Sequence, residues 1–152
     1  MEEKGYDFLF PLTVSSIKLL HKRLFKRIYS FAGEFRNVSL MKETTRFCEP
    51  QYININLNKL IEEFKLENEW FDTKIAAEKL AYYKIELNMI HPFREGNGRT
   101  IRLIIREIAK LKGYEWRTDL LNRENYIDAM KKSSWNEKPL IKIFEDTIFS
   151  LN

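Results

Sequence analysis

Apolar residues recur at spacings of three and four through Val14, Ile17, Leu20, Leu24, Ile28 and Phe31, which predicts an amphipathic helix from about Thr13 to Ser30. Gly33 reads as its stop. The period then changes: Val38 to Met41 and Arg46 to Cys48 favour short strands around a polar turn, Lys42 to Thr45, and together predict one small hairpin. An isolated hairpin is marginal in water, so this one must lean on helices, and its free edge is suited to pairing with an extended segment of another chain. Pro50 opens a helix carrying Ile53, Leu57, Leu60, Ile61 and Phe64. Another follows with Ala76, Leu80, Tyr83, Leu87 and Ile90 and ends at His91-Pro92, because the residue before a proline is pushed out of the α region. After a polar loop, Ile101, Ile104, Ile105, Ile108 and Leu111 mark a helix ending near Gly113. Asn122 caps a helix to about Lys132, and Pro139 starts the last.

The pattern predicts a mostly α fold, and composition agrees: five Gly and four Pro in 152 residues leave little room for the turns of a many-stranded protein. That length suits one domain, 1–152, which buries roughly 68–70% of the unfolded chain's surface without a staple. A hydrophobic share of 44% with 32% charged residues excludes a disordered or fibrous chain, and no apolar run is long enough to span a membrane. One cysteine, Cys48, and two histidines exclude an internal disulfide and a Cys/His zinc framework. The start, MEEKGYDFLF, lacks the features of a secretory signal, and a reducing cytoplasm is the expected location.

Charge changes the picture only slightly. The 26 basic and 22 acidic residues leave a net +4, compatible with a phosphate-bearing ligand, nucleic acid or a solvated surface. Lys18, Lys22, Arg23, Lys26 and Arg27 on the first helix read as a solvated face before a nucleic-acid stripe. His21 reads as a packing or hydrogen-bonding histidine, and Cys48 as plain packing before a redox role.

The chemistry concentrates in His91-Pro92-Phe93-Arg94-Glu95-Gly96-Asn97-Gly98-Arg99-Thr100-Ile101-Arg102. Gly96 and Gly98 give the backbone freedom at a helix entrance, where unpaired N–H groups converge and attract an anion. On a helical wheel Arg99, Arg102 and Arg106 fall within a sector of roughly 60°, opposite the isoleucines. Cations in a first turn oppose the helix dipole, so Arg99 and Arg102 ask for a bound anion such as a di- or triphosphate. Glu95 would repel a bare phosphate, which implies Mg²⁺ between them. His91 has the near-neutral pKa of a base for an incoming hydroxyl, and Phe93 reads as the loop's anchor in the core.

This segment fits HxFx(D/E)GNGRxxR at every fixed position, and the chain thereby resembles the Fic-domain family. The resemblance extends over about residues 12–145, through LLHKRLFKRIYSFAGEFR as a first helix with its exit and RFCEP as the end of a flap. It implies a helical bundle with a small β-hairpin flap beside the active-site loop, and transfer of AMP from ATP to a Ser, Thr or Tyr hydroxyl of a target protein, with release of pyrophosphate. By the same resemblance His91 is the general base and Glu95 holds Mg²⁺. Gly96, Asn97 and Gly98 form the anion hole, and Arg99 and Arg102 take the β- and γ-phosphates. Val38, Ser39, Leu40, Met41 and Lys42 belong to the flap that registers the target by strand addition, while Asn125 and Tyr126 fall at the adenine-side pocket.

Gly98 stands where phosphate-transferring members carry lysine, which favours AMP transfer. The family's inhibitory pattern, (S/T)xxxE(G/N), is not completed: Ser30 to Glu34 is followed by Phe35, Thr45 to Glu49 by Pro50 and Ser133 to Glu137 by Lys138. A toxin-like member with a separate small antitoxin, acting on a cytoplasmic protein, is therefore expected, with no membrane partner and no direct nucleic-acid binding. Two other readings use the same residues or the same charge: transfer of another nucleotide group such as UMP, and a non-catalytic nucleotide- or nucleic-acid-binding module.

Overall fold

The computed structural model describes residues 2–152; Met1, the first residue of the expected 1–152 domain, lies outside the described residues. Among these, six α-helices stand against two two-stranded sheets, as a mostly α pattern requires. No described helix is long and apolar enough to cross a membrane. The chain forms two compact units, one of residues up to Glu67 with Leu87–Arg102, the other of Asn68–Glu86 with Leu103–Asn152.

The first unit opens with a 3-10 helix, Glu2–Leu9, and then α1, Val14–Phe25. Thr13 and Ser16 start α1 by capping each other's backbone N–H at 2.9 Å. The helix ends five residues before the expected Ser30. Ile28 keeps the apolar spacing yet is 65% exposed, and the aromatic residues beyond Phe25 stack on one another instead of continuing the helix: Phe25 meets Tyr29 at 5.4 Å and Tyr29 meets Phe31 at 4.8 Å. Gly33 is not the helix stop; it turns the chain at φ +84°, where a Cβ would come within 2.9 Å of Lys22 Cβ.

The hairpin exists but is shorter than its β-favouring stretches. Its strands are β1, Met41–Lys42, and β2, Thr45–Arg46, paired Met41↔Arg46 and Lys42↔Thr45. Glu43 at φ 55° allows a two-residue turn in place of the expected four. The residues before β1 leave the ladder because other groups hold them: Arg36 takes the Val38 carbonyl, and Ser39 Oγ donates to Glu49 at 2.6 Å. Pro50 opens a 3-10 turn, Pro50–Tyr52, that runs into α2, Ile53–Lys65. Ile17, Leu20, Ile53, Leu57 and Phe93 form the centre of this unit's core.

Helix α3, Thr73–Ile90, stops at the predicted His91-Pro92, and α4, Asn97–Leu111, begins five residues beyond that pair. Each of these two helices is shared between the units, whereas the second unit alone holds α5, Arg123–Lys132, capped by Asn122, and α6, Lys138–Thr147, with proline in its first turn. Its sheet was not legible in the sequence: β3, Tyr114–Trp116, pairs antiparallel with β4, Ile148–Ser150. Trp116 packs 4.9 Å from Phe144 and donates its indole N–H to Thr147 Oγ1 at 3.1 Å, which holds this sheet to α6.

Candidate active site

The end of α3 delivers His91 in an unusual backbone state, φ 47°, which a non-glycine residue keeps only when its surroundings impose it. The Arg36 guanidinium supplies much of that constraint. It is 3% exposed, and its Nε–H donates to His91 O at 2.7 Å, Nη1–H to Val38 O at 2.8 Å, and Nη2–H to Ile90 O at 3.1 Å and also to Cys48 O. The Arg36 amide adds a bond to Pro92 O at 3.0 Å. A cation at a helix C-terminus answers the dipole, which eases the cost of burying it.

The His91 side chain lies against Phe47, ring centroids 3.8 Å apart. Nδ1 lies 3.1 Å from Asn88 O; a carbonyl only accepts, so Nδ1 carries the proton and Nε2 keeps its lone pair. Burial pushes the imidazole pKa down to about 4; the Asn88 bond opposes this, and Arg36 and Lys42 reinforce it. His91 is thus a neutral base at physiological pH.

The turn from His91 to α4 is built by side chains facing inward. Phe93 is fully buried and stacks on His21 at 3.8 Å and 9°, as a loop anchor should. His21 is itself buried and hydrogen-bonded: Nδ1 accepts from Gly33 N–H at 2.9 Å, so Nε2 carries the hydrogen and donates to Glu95 O at 2.9 Å. Gly96 turns at φ +81°, where a Cβ would come within 2.5 Å of the Phe25 ring. Asn97 closes the turn; its carboxamide accepts from Phe93 N–H at 2.9 Å and donates to Phe93 O at 2.6 Å. That side chain is spent on the loop's own backbone.

Gly96 O accepts the first helical bond of α4, from Thr100 N–H at 3.1 Å. The N–H groups of Asn97, Gly98 and Arg99 therefore precede any carbonyl the helix offers them, which leaves an anion cradle. Gly98 needs no positive φ, contrary to the expectation for both glycines; it is helical, and only Arg102 Nη1, at 3.6 Å, would meet a Cβ there. Arg99, Arg102 and Arg106 are exposed, whereas Ile101, Ile104, Ile105 and Ile108 are buried, as the wheel requires. The Arg99 guanidinium sits 5.7 Å over the Phe25 ring.

The described residues contain no cluster of three potential metal ligands. One exposed carboxylate, Glu95, beside an anion cradle is the donor set of an ion that arrives with phosphate oxygens and water, which fits Mg²⁺ and not a closed protein cage. Val38, Ser39, Met41 and Lys42 are exposed and Leu40 is half-buried; of these five only Met41 and Lys42 lie in the two-stranded sheet. Asn125 and Tyr126 lie in α5 of the second unit, where Asn125 N–H completes the Asn122 cap at 3.0 Å and Tyr126 faces the Lys84 ammonium at 5.3 Å.

The Fic/DOC family model matches residues 11–109. The chain belongs to the Fic/DOC family. A probable protein adenylyltransferase, y4lH of Sinorhizobium fredii, is 32% identical over 125 residues, 80% of this chain and 65% of that protein. Protein adenylyltransferase VbhT of Bartonella schoenbuchensis is 32% identical over 127 residues, covering 82% of this chain and 27% of its own length. The chain thus spans less than two thirds of these relatives. Among solved structures, Bartonella tribocorum BepC with bound AMPPNP superposes at TM-score 0.82 and 22% identity, over 91% of this chain and 75% of that one. The ADP-bound N-terminal Fic domain of a Bartonella quintana effector gives 0.81 and 24%, over 90% and 73%. These likenesses show that the mostly α chain with its hairpin has the Fic fold.

Arg36 is the residue that sequence reasoning missed. It is the one cation between Gly33 and Lys42, in a stretch otherwise read as the approach to a strand, and no spacing rule links it to the four carbonyls it meets.

Proposed function

We propose that the chain is a protein adenylyltransferase that moves AMP from ATP to a hydroxyl of a cytoplasmic target protein. One observation carries the reading: a half-buried, neutral histidine with its Nε2 lone pair available stands six residues before a helix N-terminus bordered by Arg99 and Arg102. In this reading Nε2 of His91 takes the proton of a Ser, Thr or Tyr hydroxyl as that oxygen attacks the α-phosphorus. The bond from the α-phosphorus to its bridging oxygen breaks, and pyrophosphate leaves.

The N–H groups of Asn97, Gly98 and Arg99 hold the leaving phosphates, with Arg99 on the β- and Arg102 on the γ-phosphate. Glu95 would hold Mg²⁺, which when bound offsets the charge of the α- and β-phosphates. The open edges of the hairpin register the target's main chain, and Asn125 and Tyr126 serve the adenine side. A separate small antitoxin is the expected regulator.

The test is incubation of the purified chain with α-labelled ATP and Mg²⁺ in a bacterial lysate, beside His91→Ala and beside α-labelled UTP. Protein bands labelled by ATP, absent with His91→Ala although that variant still binds ATP, are expected. Label from UTP alone would move the reading to another nucleotide group. No His91-dependent label from either would overturn it.

A further inference from the structure

We propose that Arg36 is a positioning residue that locks the docking hairpin and the His91 main chain into one frame, so that a target strand seated on the hairpin is in register with the base. The proposal rests on the adenylyl-transfer reading and deepens it by saying what sets the register.

The bonds of Arg36 divide between two structures. Ile90 O and His91 O belong to the C-terminal end of α3, and Val38 O and Cys48 O belong to the two legs of the hairpin, one on each side of β1 and β2. Capping α3 would need only the first pair; the second pair is superfluous for a helix cap. Main-chain bonds tighten the same junction. Arg36 N–H reaches Pro92 O at 3.0 Å and Cys48 N–H reaches Met89 O at 3.0 Å, so His91 is bracketed on both sides by the legs of the hairpin.

Phe47, next to Cys48, then lays its ring on the imidazole. The hairpin itself has two residue pairs, too few to hold its own position. A planar fork of five donors on a short lever fits four carbonyls at once; a lysine ammonium has three donors at one point on a mobile stem and does not.

Arg36→Lys keeps the charge and removes the fork. In the full chain, its affinity for ATP with Mg²⁺ and its binding stoichiometry are expected to stay within twofold of the unaltered chain. His91-dependent label transfer to the bacterial lysate protein that the unaltered chain labels most strongly should fall at least tenfold in kcat, at unchanged KM for ATP. Amide hydrogen exchange of Phe47 and Cys48 should quicken at least tenfold, with α1 and α2 unaltered. Transfer within threefold of normal, or transfer and ATP-binding stoichiometry falling in parallel as simple unfolding would cause, overturns the proposal.

The unaltered chain supplies a second measurement that survives poor folding of the variant. The protection factors of Arg36 Nε–H and Cys48 N–H, each rate taken relative to that group's own intrinsic exchange rate, should agree within threefold, since both open only when the junction opens; a Cys48 amide protected tenfold less overturns the coupling. If the unaltered chain transfers no label, the adenylyl-transfer reading fails by itself and these exchange rates still judge Arg36.

Discussion

The His91 imidazole lies parallel to the Phe47 ring, 3.8 Å between centroids and 7° between planes. The contact ties the protonation of the imidazole to its burial, the largest of the causes that bring the His91 pKa from 6.5 to about 4. Above about pH 4 the folded chain keeps a neutral base, so the acid limb of transfer should fall near pH 4 and not near 6.5. The unfolded chain takes this proton near 6.5, so the corresponding stability is complete above 6.5 and is lost as pH falls to about 4. NMR titration of the imidazole checks the midpoint. Phe47→Ala should raise it toward 6.5; an unchanged midpoint would show that the stacked ring is not what excludes water.

The two glycines of the loop should respond oppositely to alanine. At Gly96 the backbone sits at φ +81° and the new Cβ meets the Phe25 ring at 2.5 Å, so strain and overpacking together should cost about 2–4 kcal/mol in urea unfolding. At Gly98 nothing lies closer than 3.6 Å and the residue is helical, so alanine should leave stability equal or raise it by up to about 1 kcal/mol. The Gly98→Ala methyl would instead crowd the anion cradle, and ATP affinity should fall several-fold by calorimetry. Equal stability losses at both positions would contradict this division of labour.

The facing of the α4 side chains was more legible in the sequence than the junctions around them. The row Arg99, Arg102 and Arg106 and the buried Ile101, Ile104, Ile105 and Ile108 were readable because a regular helix turns spacing into facing. Arg36 was not, because its four acceptors are main-chain carbonyls, which every sequence has and no pattern marks. The same limit hid the pairing of Tyr114–Trp116 with Ile148–Ser150: strands of three residues give no period, and Ile148 and Phe149 continue the apolar texture of α6. Ile28 failed in the other direction, keeping helical spacing after the aromatic stack had ended the helix.

Asn97 was expected in the anion hole, yet its carboxamide is bound to both main-chain groups of Phe93. Asn97→Ala would leave a buried N–H and a buried C=O unpaired, at roughly 1–3 kcal/mol each. Unfolding in urea should therefore lose about 2–6 kcal/mol, and Asn97→Asp, which keeps the acceptor but sets an anion against Phe93 O, should be no better. A stable Asn97→Ala protein with weakened ATP binding would mean that the side chain serves the ligand after all.

His21 holds the loop from beneath. Replacing it with phenylalanine keeps a ring against Phe93 but removes the acceptor for Gly33 N–H and the donor to Glu95 O, at about 1–3 kcal/mol for each stranded group. The variant also separates the two histidines' contributions to acid sensitivity. Burial lowers the His21 pKa, against the opposing pull of its Glu95 bond, and protonation would put a hydrogen on Nδ1 facing Gly33 N–H. Its stability contribution, like that of His91, is present above pH 6.5 and lost as pH falls. Unfolding free energies between pH 7 and 5 should therefore drop less steeply in His21→Phe than in the unaltered chain, with the remaining slope due largely to His91. An identical slope would mean that His21 keeps an ordinary pKa in the fold, and that its hydrogen bonds to Gly33 and Glu95 are not maintained in solution.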